Sequence, residues 1–344
     1  MLRVMRTPTS VIVVTTAVII AALILSASDR ASHLPQAIRT YQTRAESGSP
    51  PFPIVERAAQ AHREESGWTA MVNFLTAHVQ SFPNDDNNGY YLAIVGDLYN
   101  DHGSPSVARQ YHRRALLSYP DVDVRSVSTH RVILNRLLDI VEDPAERLEY
   151  LTYLEARYSD EIDHGVLAYY LGEAYEGVGR WEDAYDSYRE FLRYRGARVP
   201  GEPRAHELVQ RRVAFFESSQ SWTERDLDQL VATIKNALWR QDARTLLAYR
   251  AEVNFFAMSW EQEASDANSD IPTFDIAAFL RRSRVRFESD LEISSNASEA
   301  YLRTWGWSHR IPTWYLYFRK VDFPADPEVH GTWEWAGIYF GEAI

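Results

Sequence analysis

Residues 89–122 read GYYLAIVGDLYNDHGSPSVARQYHRRALLSYPDV, and residues 165–198 read GVLAYYLGEAYEGVGRWEDAYDSYREFLRYRGAR. The two stretches register without a gap at an offset of 76 positions. Gly96 falls on Gly172, Tyr99 on Tyr175, Gly103 on Gly179, Ala108 on Ala184, and Ala115-Leu116 on Phe191-Leu192. Each recurring residue has a packing reason. A glycine inside a helix costs roughly 1 kcal/mol against alanine, so Gly96 and Gly172 mark close approach of a second helix. Tyr99 and Tyr175 lie three residues on, along the same helix face. Gly103 and Gly179 suit the left-handed position that ends a helix. Ala108 and Ala184 are small where the second helix crosses the first, and Pro120 breaks the unit. The pair predicts two helical hairpins built alike.

The pattern resembles the tetratricopeptide repeat, a helix–turn–helix unit of about 34 residues. That resemblance implies an all-α superhelix in which the first helix of each unit lines a concave, partner-binding groove. Carried over position by position, the groove residues here are Tyr90, Ala93, Asp97, Asn100 and Asp101, then Val166, Tyr169, Glu173 and Glu176. Some members clamp a partner's terminal carboxylate with lysine and asparagine. Acids stand at Asp97 and Glu173 instead, which argues against a clamp and favours a basic or neutral peptide segment. The offset is two units of about 34 residues plus roughly eight, so the unit between the pair is irregular and the groove interrupted there.

Outward from the pair, residues 54–84 read as a degenerate first unit, with Ala70, Phe74, Ala77 and Phe82 on its second helix. Val127–Val141 and Pro144–Tyr158 read as two helices of a degenerate third unit, Asp143-Pro144 making the start of the second. Glu202–Ser218 reads as a helix capping the stack. ESGSPPFP (Glu46–Pro53) is turn and linker chemistry, and 29–53 reads as a tether. The composition shifts at Ser218–Trp222, setting a boundary between repeats at 54–220 and a C-terminal domain at 221–344. There Thr223 is read as the cap of a helix to Trp239 and Asp242 as the start of another to Arg250. Val253–Met258 reads as a strand, Trp260–Pro272 as a polar loop and Phe274–Arg284 as a helix. Strand character follows at Phe287–Ser294, Glu299–Ser308, Thr313–Val321 and Thr332–Phe340. Helices before an antiparallel sheet make an α+β plan. In order, though not in any residue motif, it is similar to the cone-shaped fold of the nuclear transport factor 2-like superfamily, which implies a curved antiparallel sheet wrapped round helices.

The 344 residues are 45% hydrophobic and 24% charged, a globular balance with room for two domains. A net charge of −12 argues against nucleic acid as a partner. Residues 7–28 carry no charge, Arg3 and Arg6 precede them, and Asp29 and Arg30 follow. This is a cleaved secretory signal peptide, with Ser26-Ala27-Ser28 offered for cleavage, or a single membrane anchor. Either reading places the remainder outside the cytoplasm, at a bacterial inner membrane facing the periplasm or free in the periplasm. Cysteine is absent, which removes disulfides, a thiol nucleophile, thiolate metal sites and a lipoprotein anchor.

Chemistry-bearing motifs are sparse. Asn84–Gly89 imitates the start of a calcium loop, but its twelfth position is Val95, so it reads as a polar turn. The ten histidines show no HExxH, and His102 and His112 read as surface residues. No GxSxG, P-loop or GxGxxG is present. Asp290 and Glu292, two apart on an expected strand, read as water-facing. No metal, cofactor or catalytic residue is expected. Trp305 with Trp307, Trp314 with Leu316 and Phe318, and Trp333 with Trp335 and Tyr339 are expected to share strand faces. Such an aromatic wall either packs onto Leu227, Leu230, Ile234 and Leu238 or lines a ligand pocket. The sequence thus predicts an extracytoplasmic scaffold whose groove docks another envelope protein or peptide. The alternative is a small-ligand-binding or enzymatic C-terminal domain mounted on the repeats.

Overall fold

The computed structural model describes residues 30–260, 275–308 and 310–342. This described chain is mostly helical, with thirteen helices and a five-stranded mixed sheet near the C-terminus. It divides into two compact units, the first ending at His206 and the second starting at Glu207.

The first unit is a run of helical hairpins. Helix α1 spans Arg30–Ala45. The hairpins pair α2 (Phe52–Ser66) with α3 (Trp68–Ser81), α4 (Asn88–Asp101) with α5 (Pro105–Ser118), α6 (Thr129–Ile140) with α7 (Pro144–Tyr158), and α8 (His164–Gly177) with α9 (Trp181–Arg193). Gly103 and Gly179 take φ of 76° and 75°, the left-handed cap their spacing predicts. Proline at the start of α5 and α7 costs no helical hydrogen bond. Asp143 and Asp163 accept from the N–H of Glu146 at 2.8 Å and Val166 at 3.0 Å, closing the first turns of α7 and α8. Helix α4 is buried along Asn88–Gly96 and at Leu98, packed by α3, α5 and α6. Its few polar residues sit at its ends, which is why it tolerates burial on nearly every side.

Three expectations for this unit change. The tether read at 29–53 contains α1, whose Tyr41 ring packs edge-on to Phe74 at 4.7 Å. The apolar stripe of α1 (Ala37, Ile38, Tyr41, Ala45) is too thin to stand out from its polar background. On α3 the buried stripe is Met71, Val72, Leu75, His78 and Val79, while Ala77 is exposed and Ala70 and Phe74 are half-buried. Between Pro120 and α6, a two-stranded ribbon pairs β1 (Asp123–Val124) with β2 (Val127–Ser128).

Helix α10 (Ala205–Glu217) crosses the division between the units. In the second unit, Phe215 packs edge-on against Trp222 at 5.8 Å and Phe323 at 5.0 Å. Helices α11 (Leu227–Arg240) and α12 (Ala243–Ala248) precede β3 (Phe256–Ser259) and α13 (Ile276–Arg282). Strands β4 (Arg286–Phe287), β5 (Glu299–Trp305), β6 (Thr313–Lys320) and β7 (Trp333–Phe340) follow, in the order β3-β7-β6-β5-β4. The cap of α11 is Asp226, which accepts from Gln229 N–H at 2.9 Å, rather than Thr223. Thr223 is displaced because Glu224 pairs its backbone with Trp333 instead. The sheet is mixed rather than antiparallel. Strand β3 returns to the free edge of β7 and runs parallel to it, Phe256 opposite Gly337. The strand expected at Phe287–Ser294 shrinks to two residues, and of the loop read at Trp260–Pro272 all but Trp260 lies outside the described residues.

Candidate functional site

The two matched hairpins carry the site, and each is stapled the same way. A Cβ built on Gly96 would lie 2.6 Å from His112 Cε1, and one on Gly172 would enter the Tyr188 ring. His112 and Tyr188 are themselves equivalent under the 76-residue offset. The mid-helix glycine therefore exists to receive a ring from the second helix. His112, read as a surface residue, is 1% exposed. The ring is large, and only the missing Cβ opposite lets it in.

Beside this staple stands Asp97. Arg136 Nε lies 3.1 Å from its Oδ1 and His112 Nε2 lies 3.5 Å from the same atom. Burial pushes the carboxyl up to about 6 against the pull of Arg136. Burial, reinforced by Arg136, pushes His112 down to about 3 and keeps the imidazole neutral. Neither group is poised as an acid or base facing open space. The equivalent residue in the second hairpin, Glu173, accepts from Tyr169 Oη at 3.1 Å, and Glu176 accepts from Tyr188 Oη at 2.9 Å.

The expected groove residues fall into three groups. Tyr90, Ala93, Val166 and Tyr169 are buried. Asp97, Glu173 and Glu176 are half-buried and engaged as above. Asn100 and Asp101 are exposed at the end of α4. Beside Tyr90, Ala93, Ile94 and Asp97 lies the ribbon. Its Val124 and Arg125 close a cavity of about 20 Å³ against α4, room for about one water molecule. Arg125 Nη2 donates to Glu56 Oε1 of α2 at 2.7 Å. The sequence predicts an irregular unit between the matched pair but does not single out Arg125 and Glu56. The surplus of about eight residues over two repeat lengths was their only signal.

Three further polar clusters hold the hairpins together. Tyr41 Oη donates to His78 Nδ1 at 2.9 Å, and His78 Nε2 lies 3.1 Å from Asp85 Oδ2. Burial raises the Asp85 carboxyl, but hydrogen bonds from Asn87, His78 and Ser49 outweigh it and hold it below the ordinary carboxylate range. So the turn at Asn84–Gly89 is an Asp85-centred lock. Glu146, 8% exposed, joins Arg109 and Tyr150. Asp121 accepts from Ser128 Oγ, Tyr158 Oη and His130 N–H at 2.9, 2.8 and 2.9 Å. Among the described residues, no three His, Cys, Asp or Glu side chains gather as metal ligands would.

In the second unit the aromatic wall packs a core. Trp314, Leu316, Phe318, Trp335 and Ile338 meet Leu230, Ile234 and Leu238 of α11. Burying each such aliphatic or Phe side chain contributes about 1.5–3 kcal/mol. Two expected groupings break. Gly306, at φ 85°, ends β5, so Trp307 leaves the strand and stacks on Trp314 at 4.5 Å while Trp305 stays half-exposed. On β7 a bulge sets Trp335 opposite Phe318 and Gly337 opposite Tyr317. Ala336 is the extra residue, and it flips the alternation. Trp333 and Trp335 therefore face the core, whereas Tyr339 joins Phe256, Trp260, Tyr301 and Tyr317 on the other face. Those rings close on one another, Trp260 stacking on Tyr339 at 4.3 Å. Asp290 is exposed in a turn beyond β4.

No protein-family model matches the chain, and no curated protein matches it.

Proposed function

We propose that this protein is an extracytoplasmic scaffold of a bacterial cell envelope, built on tetratricopeptide-like hairpins that dock another envelope protein or peptide. One observation carries the reading. Two hairpins 76 positions apart reuse one internal design, glycine receiving a ring and a left-handed glycine at the turn. Repetition of a packing unit makes a stack of hairpins with repeated surfaces, and such stacks serve as binding platforms. The clustered polar groups of the first unit are engaged in holding helices together, which also favours a binding role over a catalytic one. Exposed Asn100 and Asp101 give the rim of the platform a hydrogen-bonding amide and one carboxylate side by side. A basic or neutral segment is the complementary partner. For the second unit we carry forward the nuclear transport factor 2-like resemblance, which rests on element order alone. The unit's core is filled with its own aromatics, so we assign it to support or to a second contact rather than to a pocket.

Placement at the membrane rests on the uncharged run at 7–28, which lies outside the described residues. No helix among the described residues is long and apolar enough to cross a membrane. Affinity capture of the full chain from membranes, with its mature N-terminus sequenced, tests both parts. The reading predicts an envelope protein retained by the parent and reduced at least tenfold by Asn100→Ala with Asp101→Lys. Equal retention by that variant would remove α4 from the docking surface.

A further inference from the structure

We propose that residues 121–128 are a built-in occupant of the α4 face, a strap holding the place of an arginine-bearing segment of the partner. This rests on the docking reading above and names the chemistry of what docks. The repeat arithmetic isolates the strap first. Two repeat lengths leave about eight residues over, and between the two matched hairpins the longest stretch outside any helix is 119–128, which contains the strap.

The strap is a tight hairpin paired with itself. Asp123 pairs with Ser128 and Val124 with Val127, and the turn between them puts Arg125 at φ 53° and Ser126 at φ 64°. Two consecutive non-glycine residues in left-handed geometry cost free energy, which contacts elsewhere must offset. Those contacts are with α4 and α2. Val124 and Val127 line the same small cavity as Tyr90, Ala93 and Ile94. Arg125 reaches Glu56, 69 positions away in sequence, at 2.7 Å. An apolar side chain beside Ala93 and Ile94 with a guanidinium on Glu56 is the recognition pattern, and the acids Glu56 and Asp97 supply its charge complement.

The strap fits well enough to hold and poorly enough to be displaced. Its base is fixed, because Asp121 collects hydrogen bonds from Ser128, Tyr158 and His130. Its tip has one ion pair, Arg125–Glu56, with side chains 39% and 18% exposed. Beneath it remains the cavity of about 20 Å³, beside the buried Tyr90 ring. A partner segment that fills the cavity and keeps the Glu56 contact does so without the strained turn.

The test replaces Val124–Val127 by Gly-Gly, which keeps Asp121 and Ser128 and so the base. The probe is a fluorescent peptide of the sequence 119–130, YPDVDVRSVSTH. The strap reading predicts micromolar binding to the excised chain, at least tenfold weaker binding to the intact chain, and at least tenfold loss when the peptide arginine becomes glutamate. Glu56→Arg on the excised chain should restore binding of that glutamate peptide. Absence of peptide binding to an excised chain of unchanged helicity overturns the inference, as does equal binding to the intact chain. Failure of the strap is separable from failure of docking. Partner capture of equal yield in the intact and excised chains refutes the strap alone. Absence of capture in both refutes the docking reading on which it rests.

Discussion

Gly96→Ala reads out the glycine–ring staple directly. The new Cβ would lie 2.6, 2.7 and 2.8 Å from Cε1, Nε2 and Nδ1 of His112, where ordinary contact is 3.4–4 Å. The imidazole must retreat by most of an ångström. It is 1% exposed and hemmed in by Asp97 and Arg136, so it cannot swing out. Overpacking of this kind costs about 1–3 kcal/mol, and tight confinement places it at the upper end. Replacing glycine inside a helix returns roughly 1 kcal/mol of propensity. The net expectation is a loss of about 2 kcal/mol. In a His112→Ala background the obstacle is gone. Propensity and a buried methyl then both favour alanine, by about 1–2 kcal/mol together. The substitution should thus reverse sign, with a coupling of about 3 kcal/mol, where residues without contact couple by less than about 0.5. Urea unfolding of the four full-length chains, followed by circular dichroism, measures it. Stabilisation by Gly96→Ala in the parent, or the same loss in both backgrounds, would refute the staple.

Acid should weaken the first unit, since the imidazoles of His78, His112 and His130 are held below their ordinary value by burial. A depressed histidine contributes fully above the unfolded value near 6.5, and that contribution drains as pH falls and the unfolded chain takes up protons. Asp97, raised by burial to about 6, works oppositely, gaining between about pH 6 and 4. Between pH 6 and 4, His112→Gln should flatten the stability slope by about 1.4 kcal/mol per pH unit and Asp97→Asn should steepen it by as much. Calorimetry at four pH values decides, and parallel slopes would contradict it. In the second unit, Glu334 is 2% exposed and binds Trp222 Nε1 and Arg319 Nε, each at 2.8 Å. Glu334→Ala should cost about 2–3 kcal/mol by chemical denaturation, because it leaves the buried Trp222 N–H unpaired while Arg319 keeps contact with water, against about 1 kcal/mol for loss of the Asp143 cap in Asp143→Ala. Similar losses from the two would sink this account of Glu334.

Legibility of the chain followed the strength of its physical signals. The matched hairpins stood out because glycine inside a helix is costly and must have a reason, and Gly96 and Gly172 meet the rings that supply it. What glycine could not reveal was the identity of the ring, so His112 was read as surface. Helix α1 escaped because a thin stripe beside ESGSPPFP resembles a tether. The strands β5, β6 and β7 were legible from their aromatic alternation, but the alternation hid two breaks. One extra residue at Ala336 inverted the facing of Tyr339, and Gly306 released Trp307. The parallel edge made by β3 was invisible because no local pattern records which distant strand a segment joins. The groove was the largest departure. The repeat resemblance places Tyr90 and Tyr169 in a groove, yet both side chains are buried, and Tyr90 shares its small cavity with a ribbon elsewhere in the chain.

Photo-crosslinking in living cells tests the docking claim most directly. A photoreactive residue is placed at Asp101, on the rim of α4, at Arg125, on the strap, and at exposed Ile293 in the second unit as a reference. The account predicts one envelope-protein adduct from Asp101, a weaker one of the same mass from Arg125, and none of that mass from Ile293. An adduct from Ile293 alone, with Asp101 silent, would contradict it.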